Sequence, residues 1–264
     1  MTRLTLSHLQ KLYQAGEKIT MLTCYDASFA ALMDVAAVEI LLVGDSLGMV
    51  VQGHESTLPV SMRDAEYHTA CVARGSKAGF ILGDMPFGSY QEGPQQAFRN
   101  AARLMSAGAN MVKLEGGRVM AETVAFLTSR GIPVCGHIGL TPQSVNQLGG
   151  FRVQGKTDAG AKQVMDDALA LQDAGASAVV LETIPATLGK AVTEALSIPT
   201  IGIGAGVDCS GQILVLYDVL DIYPGRKARF VRNFMQGANG VSGALADYVK
   251  AVKERQYPGP EHCF

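Results

Sequence analysis

The sequence predicts an α/β protein folded as a single (β/α)8 TIM barrel over residues 1–264, with a short helical segment at its N-terminus. Eight short apolar runs alternate with segments of helical pattern, and no Pro/Gly/Ser-rich linker divides the chain. This alternation favours a parallel sheet, and barrels commonly reach this length as one domain. An open doubly wound sheet is the alternative, weakened because no GxGxxG turn follows the first strand.

The strands are predicted from apolar runs that suit a sheet buried on both faces. In chain order these runs are residues 19–26, 39–46, 80–87, 111–116, 133–140, 178–183, 200–206 and, more weakly, 212–218. Two of the intervening helices have clear ends. Residues 95–107 stop at Gly108 and residues 161–174 stop at Gly175, where glycine favours termination. The longest gap, residues 141–160, predicts a lid or rim.

Composition and charge exclude several classes of protein. The formal net charge is −2, whereas a nucleic-acid surface normally brings a basic excess. No run approaches the roughly 18 apolar residues that a membrane helix needs, and the N-terminus lacks the apolar core of a secretory signal. The five cysteines are odd in number and include no CxxC pair, which indicates free thiols. We therefore expect a cytoplasmic globular protein.

Ionisable side chains lie near the carboxyl ends of six consecutive predicted strands. They are Asp26, Asp45, Asp84, Glu115, His137 and Glu182. Barrel active sites are built at this face from the ends of several strands. Asp26 has the alternative of an ordinary helix N-cap. Capping does not explain the set as a whole, because glutamate is a poor cap and histidine is none.

The stretch MVKLEGG places Lys113 and Glu115 two residues apart, so both side chains point to one face of the fourth strand. Clustered buried carboxylates are costly unless they are paired or bind a cation. Asp45, Asp84 and Glu115 offer only oxygen ligands, which suits Mg²⁺ better than Zn²⁺. The alternative is a network of salt bridges centred on Lys113.

Glu182 ends the sixth strand after three apolar residues, and an apolar surrounding raises the pKa of a carboxyl towards the range of a useful general base. Lys113 would then neutralise a substrate carboxylate or a developing enolate. His137 is predicted to hydrogen-bond the substrate, with a satisfied core histidine as the alternative. Ser46 offers a hydroxyl and a backbone N–H to a small anion. This set suits proton abstraction beside a metal-bound carbonyl.

Four stretches carry a resemblance to a known family. They are VGDSLGMVVQGHESTLPV (43–60), MVKLEGG (111–117), PVCGHIGLTPQS (133–144) and IGIGAG (201–206). Through these motifs, and over essentially the whole chain, the sequence resembles the ketopantoate hydroxymethyltransferase family. The resemblance implies a barrel of the phosphoenolpyruvate/pyruvate type and a homodecamer. It also implies transfer of a hydroxymethyl group from 5,10-methylenetetrahydrofolate to 3-methyl-2-oxobutanoate, which yields 2-dehydropantoate and tetrahydrofolate on the route to pantothenate.

The resemblance also implies roles for single residues. Asp45, Ser46, Asp84 and Lys113 would bind the oxo acid, with His137 added from the pattern above, and Glu182 would accept the proton. One Mg²⁺ per subunit, held by Asp45, Asp84 and Glu115, would stabilise an enolate intermediate. The residues that bind the folate co-substrate have no recognisable signature in the sequence.

The departures from the family pattern lie away from the acidic residues. They are Ser210-Gly211-Gln212, the closing residues 261–264 and the basic stretch RKARFVRNF (226–234). Two other functions stay open at this point. One is a carbon–carbon lyase of the isocitrate-lyase type, which shares the barrel, Mg²⁺ and an enolate, and which the GHIGLTPQS stretch disfavours. The other is a non-catalytic ligand-binding or regulatory barrel, which has no use for clustered carboxylates.

Overall fold

The computed structural model describes residues 2–264 and contains a closed barrel of eight parallel strands. The strands are β1 (Ile19–Thr23), β2 (Ile40–Val43), β3 (Phe80–Asp84), β4 (Met111–Glu115), β5 (Val134–Gly139), β6 (Ala178–Glu182), β7 (Thr200–Ile203) and β8 (Gly211–Leu214). Each strand pairs with the next, and β8 closes the ring by pairing with β1, as Leu214 opposite Leu22 shows. The predicted barrel is confirmed, and the open sheet is excluded.

Helices precede, connect and follow the strands. They are α1 (Leu6–Gln14), α2 (Ala27–Val35), α3 (Leu47–Val50), α4 (Met62–Gly75), α5 (Pro94–Ala107), α6 (Ala121–Thr128), α7 (Val145–Leu148), α8 (Asp158–Asp173), α9 (Ala186–Ala195), α10 (Leu216–Val219) and α11 (Gly240–Lys253). Single 3₁₀ turns lie at Arg118–Met120, Pro142–Ser144 and Pro260–His262. No helix within residues 2–264 has the length and apolar character needed to cross a membrane.

The predicted helix ends are confirmed at both glycines. Helix α5 ends before Gly108, whose φ of 114° is the left-handed conformation that glycine adopts without strain. Helix α8 ends before Gly175, with φ of 92°. Its predicted start at residue 161 was wrong by one turn. The helix begins at Asp158, because the Thr157 side chain accepts a hydrogen bond from the backbone N–H of Gly160.

The strands begin within one residue of the predicted positions but end one to four residues early. The difference matters most after β2, where the predicted strand included Asp45. The backbone N–H of Asp45 donates instead to the Asp84 carboxylate at 3.1 Å, so the chain has already left the ladder. The predicted strand 212–218 stops at Leu214, and Leu216 begins α10 with its N–H donating to the Thr23 hydroxyl.

The N-terminal segment covers the end of the barrel at which the strands begin. Leu9 of α1 is 3% exposed and faces the starts of the strands, including Ile19 and Ile40. The space left between α1 and these residues is about 10 Å³, room for about one water molecule. The Arg3 guanidinium fixes this segment by donating to three backbone carbonyls, those of Ser76 and Gly79 in the α4–β3 connection and that of Ala73 in the last turn of α4. The barrel is therefore plugged at this end.

Candidate active site

A cavity of about 540 Å³ opens at the opposite end, where the strands finish. All seven side chains predicted for the site line it. They are Asp45, Ser46, Asp84, Lys113, Glu115, His137 and Glu182. They come from five strand ends, so a single feature of the fold, the shared direction of parallel strands, gathers residues that lie 137 positions apart in the sequence.

Strand register places the charged residues side by side. In the β3–β4 pair Asp84 lies opposite Lys113, and in the β4–β5 pair Glu115 lies opposite His137. Both Lys113 and Glu115 of β4 line the cavity, which confirms that the two share the inner face. Each of the four side chains is nearly buried, with relative exposures of 2–6%. The charges are therefore held in a poorly solvated setting where electrostatic interactions are strong.

The Lys113 ammonium is the centre of an ion network. Its Nζ lies 2.7 Å from Asp84 Oδ1, 3.8 Å from Glu115 Oε1 and 3.4 Å from His137 Nδ1. Burial lowers the pKa of Lys113, but the surrounding carboxylates outweigh burial and leave the pKa above its usual value. Lys113 therefore stays protonated. The salt-bridge network that the sequence left open as an alternative is present in the structure.

Three buried carboxylates face this single ammonium. Burial, followed by the charge of Asp84, raises the pKa of Asp45 well above its ordinary value. Burial likewise raises the pKa of Asp84, against the opposing charge of Lys113. Burial acts in the same direction on Glu115, but the contact with His137 and the charge of Lys113 leave its pKa lowered. The ionised forms of Asp45 and Asp84 are thus the least stabilised of the three carboxylates, and another cation would stabilise them.

His137 joins the two ends of the site. Its Nδ1 lies 3.4 Å from Glu115 Oε1, and its Nε2 lies 3.1 Å from Glu182 Oε2. Burial and the charge of Lys113 both lower the pKa of His137, but its contacts with Glu115 and Glu182 raise it to about 9. The ring therefore carries a proton at neutral pH and orients Glu182. The side chain of Glu182 is 14% exposed, more than those of Asp84 and Glu115, so it is open to the cavity.

Gln143 is a site residue that the sequence analysis did not single out. It is 4% exposed in the 3₁₀ turn after β5, and its Nε2 donates to Asp45 Oδ2 at 2.9 Å. Its backbone N–H donates to Glu115 Oε2, also at 2.9 Å. The hydroxyl of Tyr90 donates to Gln143 Oε1 at 2.6 Å and accepts from the backbone N–H of Glu115. Gln143 therefore fixes two of the carboxylates, and Tyr90 fixes Gln143 and the backbone of Glu115.

The remaining predicted residues fall into two groups. Ser46 lines the cavity, and its Oγ lies 2.9 Å from the hydroxyl of Tyr25. Asp26 does not belong to the site, because its carboxylate accepts from the backbone N–H groups of Ser28 and Phe29 and caps α2. The long connection after β5 forms part of the cavity wall through Pro142, Phe151 and Val153, among others.

The residues present fit a divalent cation. Within residues 2–264 no three carboxylate, imidazole or thiolate groups stand close enough to form a ready-made ion site, and Lys113 lies between Asp84 and Glu115. Two buried carboxylate oxygens nevertheless accept no hydrogen bond of ordinary geometry from the described residues. They are Asp84 Oδ1, whose contact is the ion pair with Lys113, and Glu115 Oε1. Unsatisfied carboxylate oxygens beside an excess of negative charge are suited to a hard cation such as Mg²⁺.

The site and the barrel match one family. The family model described as ketopantoate hydroxymethyltransferase matches residues 3–260. This chain belongs to the ketopantoate hydroxymethyltransferase family. A relative from Nitrosospira multiformis named 3-methyl-2-oxobutanoate hydroxymethyltransferase is 63% identical over 262 residues, which cover 99% of this chain and 100% of the relative. A relative of the same name from Dechloromonas aromatica is also 63% identical, over 99% of this chain and 96% of its own length.

Several solved structures share the fold of this member of the ketopantoate hydroxymethyltransferase family. Phosphonopyruvate hydrolase, in complex with oxalate and Mg²⁺, superposes with a TM-score of 0.62 at 12% identity over 80% of this chain and 81% of that one. A 2,3-dimethylmalate lyase, a member of the PEP mutase/isocitrate lyase superfamily, superposes with a TM-score of 0.59 at 16% identity over 80% and 81%. These likenesses show the fold, and they confirm the predicted phosphoenolpyruvate/pyruvate type of barrel.

Proposed function

We propose that the protein transfers a hydroxymethyl group from 5,10-methylenetetrahydrofolate to 3-methyl-2-oxobutanoate, forming 2-dehydropantoate and tetrahydrofolate for pantothenate biosynthesis. The observation that carries this proposal is the convergence of one ammonium, three buried carboxylates and an open glutamate in a single cavity. The names of the relatives, at 60–63% identity, support the substrate and the reaction.

The oxo acid needs a site that accepts an anion and then stabilises a second negative charge. Its carboxylate is negative before reaction, and removal of the C3 proton delocalises charge onto the keto oxygen. Lys113 is a buried cation at the cavity floor and supplies a fixed positive charge where both charges would lie. Ser46 adds a hydroxyl at the same end of the cavity.

Glu182 is the base in this proposal. It is the carboxylate that is open to the cavity, and the contact of His137 Nε2 with Oε2 fixes its orientation. The proton passes from C3 of the oxo acid to the Glu182 carboxylate. Water hydrolyses the methylene unit of the donor to formaldehyde, and the two C–N bonds break as both folate nitrogens take a proton, which gives tetrahydrofolate. The electron pair left on C3 bonds to the formaldehyde carbon, and the resulting alkoxide takes the proton back from Glu182 and becomes the hydroxymethyl group. A base fixed at hydrogen-bond distance from its orienting partner is the arrangement that general-base catalysis requires.

Asp45, Asp84 and Glu115 would hold the divalent cation, which we propose is one Mg²⁺ per subunit. A bound Mg²⁺ supplies Lewis-acid polarisation of the oxo acid's carbonyl. Gln143 holds two of these carboxylates in place, and Tyr90 holds Gln143 and the backbone of Glu115, so the ligand set is oriented before the ion binds.

A carbon–carbon lyase of the isocitrate-lyase type would use the same barrel. The family match over residues 3–260 favours the transferase, whereas the likeness to the lyase is one of fold. We further propose that residues 1–264 act as one domain, and that the enzyme is a cytoplasmic homodecamer. The resemblance of the whole chain to the family supports these assignments.

The test is exchange of the C3 proton of 3-methyl-2-oxobutanoate in deuterium oxide, followed by NMR. Exchange converts the methyl doublet of the substrate into a singlet, and it reports proton abstraction without the folate donor. We expect Glu182→Gln to slow exchange by about 10²–10⁴-fold, the usual contribution of a general base. Glu194→Gln, on the exposed surface of α9, is the matched control.

Exchange at the wild-type rate in Glu182→Gln would assign the base to another residue. A wild-type protein that exchanges the proton but makes no 2-dehydropantoate when supplied with 5,10-methylenetetrahydrofolate and Mg²⁺ would refute the transferase and return the lyase to consideration.

A further inference from the structure

The mouth of the cavity carries cations that the chemistry at its floor does not use. Arg226, Lys227 and Arg229 line the same cavity as the catalytic carboxylates, and all three are exposed. We call these three residues the cationic rim. The chain as a whole has a net charge of −2, so three cations within four positions are a local departure from its average.

The cationic rim is only partly neutralised by its surroundings. Lys227 Nζ forms an ion pair with Asp221 Oδ1 at 2.6 Å. Arg229 Nε donates to the backbone carbonyl of Glu261 at 3.0 Å, which neutralises no charge. Arg226 forms no ion pair within 4.0 Å among residues 2–264. Asp218 is the carboxylate of the cavity lining that faces Lys227, so three cations meet two acids here, Asp218 and Asp221. The rim therefore keeps an excess of positive charge, carried by Arg226 and Arg229, at the entrance to the cavity, where an anionic ligand would be attracted.

Aromatic rings lie directly beside these cations. Phe230 and Phe264 line the cavity, and the two rings pack against the turn after β7. Gly204 makes this packing possible: its φ is +60°, and a Cβ at this position would lie 2.9 Å from an atom of each ring. The Arg229 guanidinium lies 5.6 Å from the centre of the Phe264 ring. This packing explains the glycine at position 204 of the IGIGAG stretch.

The rim thus offers flat apolar surface and positive charge together, outside the pocket that a five-carbon oxo acid would fill. A reduced folate has the matching composition, with a fused aromatic ring system at one end and glutamate carboxylates at the other. We propose that Phe230 and Phe264 contact the ring portion of the folate donor, and that the cationic rim binds the carboxylates of its glutamate tail. This inference rests on the proposed function in taking a folate as the donor.

The experiment measures the affinity of the wild type for two tetrahydrofolates, one with a single glutamate and one with three. Affinities are measured by isothermal titration calorimetry in the presence of the oxo acid. The variants are Arg226→Ala and the double variant Arg226→Ala/Arg229→Ala. Lys250→Ala is the matched control, because Lys250 is an exposed cation on α11 outside the cavity lining. Thermal melting verifies that each variant is folded.

We expect the wild type and the control to bind the triglutamate about tenfold more tightly than the monoglutamate at low salt, with the advantage reduced at high salt. Each lost cation should weaken triglutamate binding by about threefold, so the double variant loses the advantage. The KM for the oxo acid and the kcat at saturating donor should not change. These results together would support the rim as the tail site.

The inference about the rim would be overturned if the wild type bound the two folates equally, or if the double variant kept the wild-type preference for the triglutamate. In either case, turnover with the monoglutamate donor would leave the proposed function intact. Absence of both turnover and folate binding in the wild type would refute the proposed function itself.

Discussion

Asp45 carries the least stable charge of the site. It is 6% exposed, lies close to Asp84, and accepts a hydrogen bond from a neutral amide rather than from a cation. Lys113 is shared among three carboxylates and cannot neutralise all of them. Asp45 and Asp84 therefore repel each other in the ligand-free protein, and a bound divalent cation would offset this repulsion.

Gln143 should be needed to position the carboxylates. Gln143→Met keeps the length of the side chain but removes the donor to Asp45 and the acceptor for the Tyr90 hydroxyl. We expect kcat/KM and Mg²⁺ affinity to fall by about 10- to 100-fold, the usual effect of removing a residue that orients metal ligands. Steady-state kinetics and calorimetric Mg²⁺ titration measure the two effects.

The matched control for this variant is Gln147→Met, an exposed glutamine in the same connection. It should behave as the wild type. If Gln143→Met kept full Mg²⁺ affinity and lost stability alone, Gln143 would be a packing residue and not a positioning one.

The sequence predicted the charged residues of the site because each stands at a strand end, where the fold itself fixes its location. It did not predict Gln143 or Tyr90. Both lie in connections without periodicity, and an amide or a phenol in a polar loop carries no signal by itself. Their role arises from the path of the chain after β3 and after β5, which brings Tyr90 and Gln143 within 2.6 Å of each other across 53 positions.

At the scale of elements, Asp34 joins α2 to the connection that leads into β3. Its carboxylate accepts from the backbone N–H groups of Ala78 and Gly79, both at 2.9 Å, and from the Ser76 hydroxyl at 2.7 Å. Arg3 donates to carbonyls of the same connection. The Asp34 carboxylate thus holds α2 against this connection, because it accepts from backbone donors that have no strand partner. Arg3 joins the N-terminal segment to the same connection.

We expect Asp34→Asn to lower the free energy of unfolding by about 2 kcal/mol at pH 7, because backbone N–H groups lose a charged acceptor. Burial raises the pKa of Asp34, but the hydrogen bonds, led by that from Lys77 N–H, leave it lowered. The stabilisation is therefore fully present above the unfolded-state pKa of about 4 and is lost as the pH falls through the lower folded-state pKa.

Chemical denaturation at pH 7 and at pH 3 measures this prediction. The difference between the wild type and Asp34→Asn should shrink at the lower pH. Asp173→Asn, at an exposed position in α8, should show no such difference at either pH. If the difference in the free energy of unfolding between the wild type and Asp34→Asn were the same at both pH values, the charge of Asp34 would not be the cause of the effect.

The sequence predicted the starts of the strands more closely than their ends. Apolar runs mark where the chain enters the buried sheet, so β1 and β3 begin at the predicted residues Ile19 and Phe80. The residue at which a strand ends depends on side chains from other strands. After β2, for example, the backbone N–H of Asp45 donates to the Asp84 carboxylate and not to a neighbouring strand. Such long-range contacts leave no local pattern, and this is why the last predicted strand ran on into α10.

At the scale of the whole molecule, the two ends of the barrel differ completely. Helix α1 and the strand starts leave about 10 Å³ between them, whereas the opposite end opens into about 540 Å³. Catalytic charges lie at the floor of this opening, and the cationic rim lies at its mouth. Stability and chemistry are thus assigned to opposite ends, as barrels generally arrange them.

Because α1 closes one end of the barrel, the cavity has a single opening through which both substrates enter and both products leave. With the donor held at the rim, an oxo acid that arrived second would find the passage occupied, and a product at the floor could not leave before the spent donor. We therefore expect compulsory-order kinetics, with the oxo acid entering first and 2-dehydropantoate leaving last. A dead-end folate analogue should be an uncompetitive inhibitor against the oxo acid. The product 2-dehydropantoate should be a competitive inhibitor against the oxo acid. Noncompetitive inhibition by the analogue would mean that it also binds the enzyme without the oxo acid, and that the two ligands enter by separate routes, through a barrel that the helix does not seal.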